Sequence, residues 1–425
     1  MKSKVMLLCT LLCALFACKT GNVNNLQGED WSQWRGSDMD GIYIESGLNL
    51  DWSEKQPPVS WVFRHAGAGY ASPMIVGTTL YCMGAAEGSD FAFALDAQTG
   101  NLKWRQALGN EFVEERGNGP RGSITVDGDK LYLIRGEGQI HCLSAVDGKM
   151  LWQKDFKTDF GGRIMSNWGY SESPLVDGDL VICTPGGDEG TLIALDKNTG
   201  NVVWRSAEWT DQAGYSSPIV AEINGVRQYI QQASGGVAGL SAKDGKLLWK
   251  VEVPGYRIAV IPSPVYHDNT VYVTAGYNAG CTYIKLTKDG DSFTAETIYA
   301  NRNLSNQHGG VVLIDGNIYG FSDTPPSWVC QDLKTGEIVW SERQSGVGKG
   351  TVLAVNDRLL LLTESGTLAV VAASPDGWKE YGRMEFPERS NVPSRDNATW
   401  THITVAHGKL YLRDHDLLFC FDLKK

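Results

Sequence analysis

The run Ala94-Leu95-Asp96-Ala97-Gln98-Thr99-Gly100 is followed four residues later by Trp104, and Ala194-Leu195-Asp196-Lys197-Asn198-Thr199-Gly200 is followed in the same way by Trp204. Weaker copies in the same register run from Leu143 to Trp152, Leu240 to Trp249 and Gln331 to Trp340, and two degenerate ones lead from Lys285 to Tyr299 and from Ala372 to Tyr381. The chain ends on Cys420-Phe421-Asp422-Leu423, the first half of an eighth copy, and the missing aromatic strand stands at the other end as Val59-Ser60-Trp61-Val62-Phe63. A β unit repeated every ~40–50 residues cannot bury its faces alone and must stack on its neighbours. The reading is an all-β chain forming an eight-bladed β-propeller of four-stranded antiparallel blades, the last blade closed by the N-terminal strand.

Turn chemistry supports this. Asp, Thr and Gly together supply side-chain acceptors for free backbone N–H groups and a residue that tolerates positive φ. Hairpin signals such as Asp127-Gly128-Asp129 and His267-Asp268-Asn269 separate alternating runs, and no long 3.6-period stretch competes. A length of 425 residues ordinarily suggests two or three domains, but the repeat makes residues 58–425 one ring. The net charge of −11 lacks the dense Lys/Arg face that nucleic acid requires.

Residues 1–18 carry Lys2 and Lys4, then an uncharged run from Val5 to Ala17 ending in Leu15-Phe16-Ala17-Cys18. The run is shorter than the ~20 apolar residues of a membrane-spanning helix. It resembles a bacterial lipoprotein signal peptide with Cys18 as the lipidated residue, followed by a tether and N-terminal extension over 19–57. This implies an extracytoplasmic protein that meets the membrane through a lipid anchor only. By resemblance to the lipoproteins of enteric bacteria, in which an aspartate at this place retains the protein in the inner membrane, Lys19 implies the outer membrane, facing the periplasm or the cell surface. Beyond Cys9, Cys13 and Cys18, the remaining cysteines fall in predicted strands of different blades, where free buried thiols are expected.

The Ala-x-Asp-x-x-Thr-Gly-x-x-x-Trp pattern is similar to the tryptophan-docking repeat of the PQQ-like (quinoprotein-type) β-propeller family, and eight such blades also describe outer-membrane assembly lipoproteins of the BamB type. The resemblance implies that Trp61, Trp104, Trp152, Trp204, Trp249 and Trp340 pack between neighbouring blades. It offers two functions: a non-catalytic envelope lipoprotein with a scaffold face that assists outer-membrane protein assembly, or a PQQ-dependent alcohol or sugar dehydrogenase. The enzymes of that family hold the quinone against Trp, bind Ca²⁺ through Glu and Asn/Asp, use an Asp base and often add a bridge of adjacent cysteines. No Cys-Cys pair exists here and no channel loop offers that set at identifiable positions, so no cofactor is expected and PQQ with Ca²⁺ belongs to the alternative alone. Nucleophile-elbow, zinc-helix and phosphate-loop motifs are also absent from the sequence.

Irregular loops should share one face of the ring and the repeat turns the other. The varied face gathers 116–121, 160–170, 255–262, 301–310 and 395–402 around the channel, where a rigid ring presents ligand- or partner-binding loops. The candidate binding residues are Arg163, Asn167, Trp168, Tyr170, Arg257, Asn306, His308, Trp400 and His402. Their aromatic faces and donors suit an envelope protein partner or a small or carbohydrate ligand, which adds a carbohydrate-binding reading. The alternative is that Trp168 and Tyr170 plug the channel while the polar residues bond loop backbone. His308 and His402 begin comparable inner strands, with neither in a metal-ligand cluster. His267, His407 and His415 read as solvated turn residues, and Glu172, Asp188 and Glu189 as turn or rim residues. Residues 31–41 belong either on the ring's side or in one end of its channel.

Overall fold

The computed structural model describes residues 28–424 apart from Arg257, Asp291 and the side chain of Asp396. Residues 1–27, with the expected signal peptide and Cys18, and the candidate Arg257 lie outside the described residues. Eight sheets form the ring. Blade one runs outward from the axis as Met74–Val76, Thr79–Ala86, Ser89–Asp96 and Leu102–Asn110. The innermost strands of the next seven blades are Thr125–Asp127, Leu175–Asp177, Ile219–Ile223, Val265–His267, Val311–Ile314, Gly350–Val355 and Thr404–Ala406. Blade eight is completed by Val59–Phe63, which pairs antiparallel with Leu417–Asp422 through Trp61↔Cys420 and Val62↔Phe419. The ring therefore closes where the two ends of the repeat meet.

Each repeat turn is a small hydrogen-bonded unit. Asp96 Oδ1 accepts from the N–H groups of Gln98 (3.1 Å) and Thr99 (2.9 Å), and Asp196 does the same for Asn198 and Thr199 at 3.1 and 2.9 Å. The indole of one blade then reaches the turn of the next. Trp61 Nε1 donates to Ala97 O (3.1 Å), Trp104 to Ala145 O (3.2 Å), Trp152 to Lys197 O (3.0 Å), Trp204 to Ala242 O (3.3 Å) and Trp340 to Ser374 O (2.9 Å). The ring of Trp104 covers Gly148, where φ is +75° and an added Cβ would lie 2.6 Å from the indole. Glycine is needed there for both reasons.

Trp249 departs from the expected docking. Its Nε1 donates to Gln228 Oε1 of its own blade at 2.8 Å. The outer pair of blade five, Gly280–Asp289 and Ser292–Asn301, is ten residues per strand, so the turn at Gly290 projects into open space and presents no platform. The six cysteines of the ring are all buried and free. Among the described residues no helix is long and apolar enough to cross a membrane.

Ring closure also uses a buried cation. Arg413, in Lys409–Asp414 of blade eight, is wholly buried and donates to the carbonyls of Ala71 (2.8 Å), Met83 (2.6 Å) and Gly67 (3.0 Å) on the blade-one side, and to His415 O (2.7 Å). Its neighbour His415, expected in solvent, is buried with its ring 5.0 Å from Tyr70. The turn that carries it tucks under the blade-one entry loop, and burial lowers its pKa to about 4.

Candidate functional site

Residues 31–43 fill the channel. Trp31 exchanges both backbone hydrogen bonds with Ile75 of blade one (2.8 and 2.9 Å), and Ser32 O accepts from Val126 N of blade two (2.8 Å). Trp34 Nε1 donates to Ser263 Oγ beside blade five (3.1 Å). Met39 packs on the apolar clusters of blades three to five. Arg35 donates to Asp40 O (2.7 Å) and to Val311 O of blade six, and Gly41 O accepts from Ala354 N of blade seven (2.9 Å). Ile42–Tyr43 then adds a parallel strand to Gly350–Val355. Of the two placements open to residues 31–41, the structure selects the channel plug. Arg35 is buried within it, which lowers its pKa to about 10.

Above the plug, on the face opposite the hairpins, lies an open cup. Trp34 is its floor, with His402 edge-on at 4.5 Å between ring centroids. The wall comes from the entry loops of seven blades: Tyr70, Arg116 and Arg121, Trp168 and Ser171, Tyr215, Ile261, Gln307 and His308, and Trp400. Trp168 stacks on Tyr215 (5.6 Å) and carries the Arg116 guanidinium 4.5 Å from its ring. The Arg116 Nε is buried with no hydrogen-bond partner among the described residues. Tyr70 donates to Arg116 O at 2.9 Å, and burial raises its phenol to about 12.

The charged groups of the cup are mostly tied to one another. Arg121 pairs with Glu114 at 3.2 Å and also donates to Gly117 O and Gly119 O, each at 2.9 Å. Glu364 Oε1 lies 2.8 Å from His308 Nε2, accepts from Trp400 Nε1 at 2.8 Å and faces Lys349 Nζ at 3.7 Å. Burial alone would raise the Glu364 carboxyl, but His308 and then Lys349 and Trp400 outweigh it and hold it at about 2. His402 donates from Nε2 to His308 O (3.1 Å), and burial, helped by the nearby Arg35 charge, lowers its pKa to about 3. It is neutral at physiological pH. The Glu364 carboxylate bonded to His308 and Trp400, with Lys349 near it, and the neutral His402 imidazole bonded to a carbonyl fix the side chains on this side of the cup.

Of the candidate residues, Trp168, His308, Trp400 and His402 come together in the cup. Asn167 is exposed on the loop that carries Trp168. Arg163 lies apart, paired with Asp188 at 3.0 Å, both well exposed. Asn306 is buried, donating to Phe321 O (2.9 Å) and accepting from Gly310 N (2.9 Å), so it shapes the loop beneath His308. Tyr170 is buried on Phe156 with its hydroxyl on Pro185 O (2.9 Å), away from any ligand and from the channel. The reason is a register offset. Tyr70 and Tyr215 stand three residues before Pro73 and Pro218, whereas Tyr170 stands four before Pro174, so Ser171 takes the cup-facing place.

Trp34, Tyr70, Tyr215, Gln307 and Glu364 were not among the candidates; the recurrent Gly-Tyr-x-Ser-Pro segment was the signal for the two tyrosines. Glu172, expected on the rim, is buried between blades three and four, accepting from Thr184 N at 2.6 Å, and burial raises its carboxyl to about 8.

The quinone and Ca²⁺ that the fold family implies need a free carboxylate set. Glu114 is committed to Arg121, Glu364 to His308 and Trp400, and Asp323 to Lys349 at 3.4 Å. No three His, Cys, Asp or Glu side chains gather as a metal-ligand group among the described residues. The donor set does not fit that cofactor pair.

A family model described as "Outer membrane protein assembly factor BamB" matches residues 88–342. BamB of Yersinia pestis is 25% identical over 260 residues, covering 58% of this chain and 61% of its own. A lanthanide-dependent methanol dehydrogenase of Methylacidiphilum fumariolicum (strain SolV) is 27% identical over 192 residues, covering 42% of this chain and 29% of its own. The chain thus spans less than two thirds of the length of these relatives. Among solved structures, BamB from Moraxella catarrhalis superposes with a TM-score of 0.60 at 15% identity, covering 86% of this chain and 100% of that one, a likeness of fold.

Proposed function

The chain belongs to the family of outer membrane protein assembly factor BamB, and from that membership we propose that it is a non-catalytic envelope lipoprotein whose cup holds a protein partner during outer-membrane protein assembly. Residues 1–18 serve as its signal peptide, Cys18 carries the lipid, and the mature protein is extracytoplasmic at the outer membrane. The observation that supports the binding role is the cup itself. It is assembled from seven entry loops and floored by the plug, and its charged groups are fixed by one another. Aromatic rings with arginine are the composition of protein-binding hot spots.

The test is site-specific photo-crosslinking in the producing cell, with a photoreactive residue at Asn167 or Gln307 on the cup side and at Lys243 on a hairpin turn. A discrete envelope protein captured from the cup positions and absent at Lys243 is the expected result. Capture from Lys243 alone, or from none of the three, overturns the reading.

One observation favours a small ligand as a second reading. Arg116 stacks on Trp168 with its Nε unpartnered at the wall of the cup, which suits an acidic sugar. Tryptophan fluorescence titrated with acidic and neutral glycans tests it, and flat curves for both eliminate it.

A further inference from the structure

We infer that the cup takes the end of an acidic glycan: one hexuronate residue, its carboxylate held by Arg116 and its ring lying among Trp34, Trp168 and Trp400. This rests on the acidic-sugar reading of the cup given above. It goes beyond that reading by naming the charged group, the residue that holds it and the part of the chain that enters.

The charge balance of the wall points to a single anionic group. The side chains of Glu114, Arg121, His308 and His402 are each bonded to a protein group. The Arg116 guanidinium makes no hydrogen bond or ion pair with any described residue, and its Nε is buried as well as unpartnered. The residue is nonetheless held in place. Arg116 N donates to Glu114 Oε2 (2.9 Å), and Arg116 O accepts from Tyr70 Oη (2.9 Å) and Arg395 N (3.2 Å). The guanidinium lies 4.5 Å from the ring of Trp168, which is itself stacked on Tyr215. A cation whose backbone is pinned and whose Nε is already out of water is prepared for a charge-assisted pair, because less ordering and desolvation remain to be met on binding. Its planar fork matches a carboxylate. A phosphate monoester would bring a second negative charge to a wall that already holds Glu114, whose own charge is balanced by Arg121.

The aromatic rings favour a sugar as the carrier of that carboxylate. Trp34, Trp168 and Trp400 all line the cup and are only partly buried. The C–H groups on a pyranose face carry a small positive charge and pack on the negative face of an indole, while the hydroxyls stay at the ring's edge, toward the open mouth. A peptide end would instead carry backbone N–H and C=O groups into a wall whose Gln307, Ser171 and Tyr215 side chains are already bonded to protein. The plug then decides which part of the glycan enters. Residues 31–43 close the channel below the cup, with Trp31 bonded to Ile75, Arg35 to Val311 and Gly41 to Ala354. A chain cannot thread the ring, and an internal residue would have to bring both flanking strands through one mouth. A terminal residue enters alone.

The test is titration calorimetry on the mature protein. The probes are trigalacturonate, trimannuronate and a glucuronate-terminated disaccharide, each as the free acid and as its methyl ester. The expected result is that at least one free acid binds about tenfold or more tighter than its ester. Arg116→Gln should bring the acid and ester of that probe to within about twofold with an unchanged circular dichroism spectrum. Arg163→Gln, at an exposed arginine outside the cup, should leave the tenfold preference in place. A homopolymer of about twelve residues of the same sugar should bind one protein per chain. An acid preference that survives Arg116→Gln, or several proteins bound per polymer chain, overturns this inference and leaves the cup an acidic-sugar site. A short acidic peptide that binds tighter than every uronate, and loses that binding in Arg116→Gln, overturns the sugar in favour of a protein partner. Acid and ester binding alike to the wild type, or no heat with any probe, removes the acidic-sugar reading and this inference with it.

Discussion

Replacing Arg413 by methionine keeps much of the side-chain volume and removes the donors that this guanidinium supplies to the seam between blades eight and one. Four carbonyls within 3.0 Å lose their partner: Ala71, Met83, Gly67 and His415. A hydrogen bond to a charged group contributes about 1.5–3 kcal/mol, so the gross loss is about 6–12 kcal/mol. Against this, the variant no longer buries a guanidinium, whose desolvation costs several kcal/mol; that same burial lowers the Arg413 pKa. The net destabilisation is about 3–5 kcal/mol. For about 400 residues unfolding as one unit, the unfolding entropy is about 0.8 kcal/mol per kelvin, so Tm falls by about 5 °C. Urea denaturation followed by tryptophan fluorescence measures the energy, and hydrogen exchange shows where it is lost. Exchange should accelerate in 59–63, 66–71 and 417–422 and stay unchanged in blades three and four. A variant within about 0.5 kcal/mol of wild type, or acceleration spread evenly round the ring, would refute the idea that this cation seals the closure.

Other substitutions probe the repeat and the cup. Gly148→Ala, where an added Cβ meets the Trp104 ring, should cost about 2–4 kcal/mol, whereas Gly77→Ala, with open space around it, should cost only the backbone strain of about 1 kcal/mol; urea midpoints compare the two. Trp34→Ala should leave the circular dichroism spectrum unchanged and abolish partner capture from Asn167 and Gln307, by removing the floor of the cup. Glu172 has a folded-state pKa of about 8, above its unfolded value, so the fold favours its protonated form. Its cost to stability therefore grows as pH rises from about 4.5 to 8. Glu172→Gln should match wild type near pH 5 and exceed it by a few kcal/mol near pH 9 in urea titrations.

The ring was legible because each blade carries its own instructions. Asp96 and Thr99 build a turn from local hydrogen bonds, and Trp104 marks the next blade's turn by spacing alone. Closure at Trp61 could be read from the half-repeat at Phe421. The plug could not, because residues 31–43 contain one short strand and no repeat, and their conformation is set by the inner strands of the ring. The same limit applies to Trp249, whose platform vanished when a distant hairpin lengthened. Tyr170 shows the smallest signal of all: one residue more before a proline turns a side chain from the cup into the core. The burial of Glu172 depends on Gln231 of the next blade, 3.4 Å away, a contact no local pattern records.

The plug and the closing strand also bear on how the chain matures. Trp34 bonds to Ser263, 229 positions later, and His402 N donates to Ser72 across 330. In any vectorial synthesis the earliest-emerging segments wait longest for their partners, and such contacts form slowly. Until the final blade arrives, the nascent array has two open sheet edges and an empty bore, which is the condition most exposed to mispairing. The last twenty residues thus act as a latch: their arrival converts an extended, unsealed array into a finished ring in one late step.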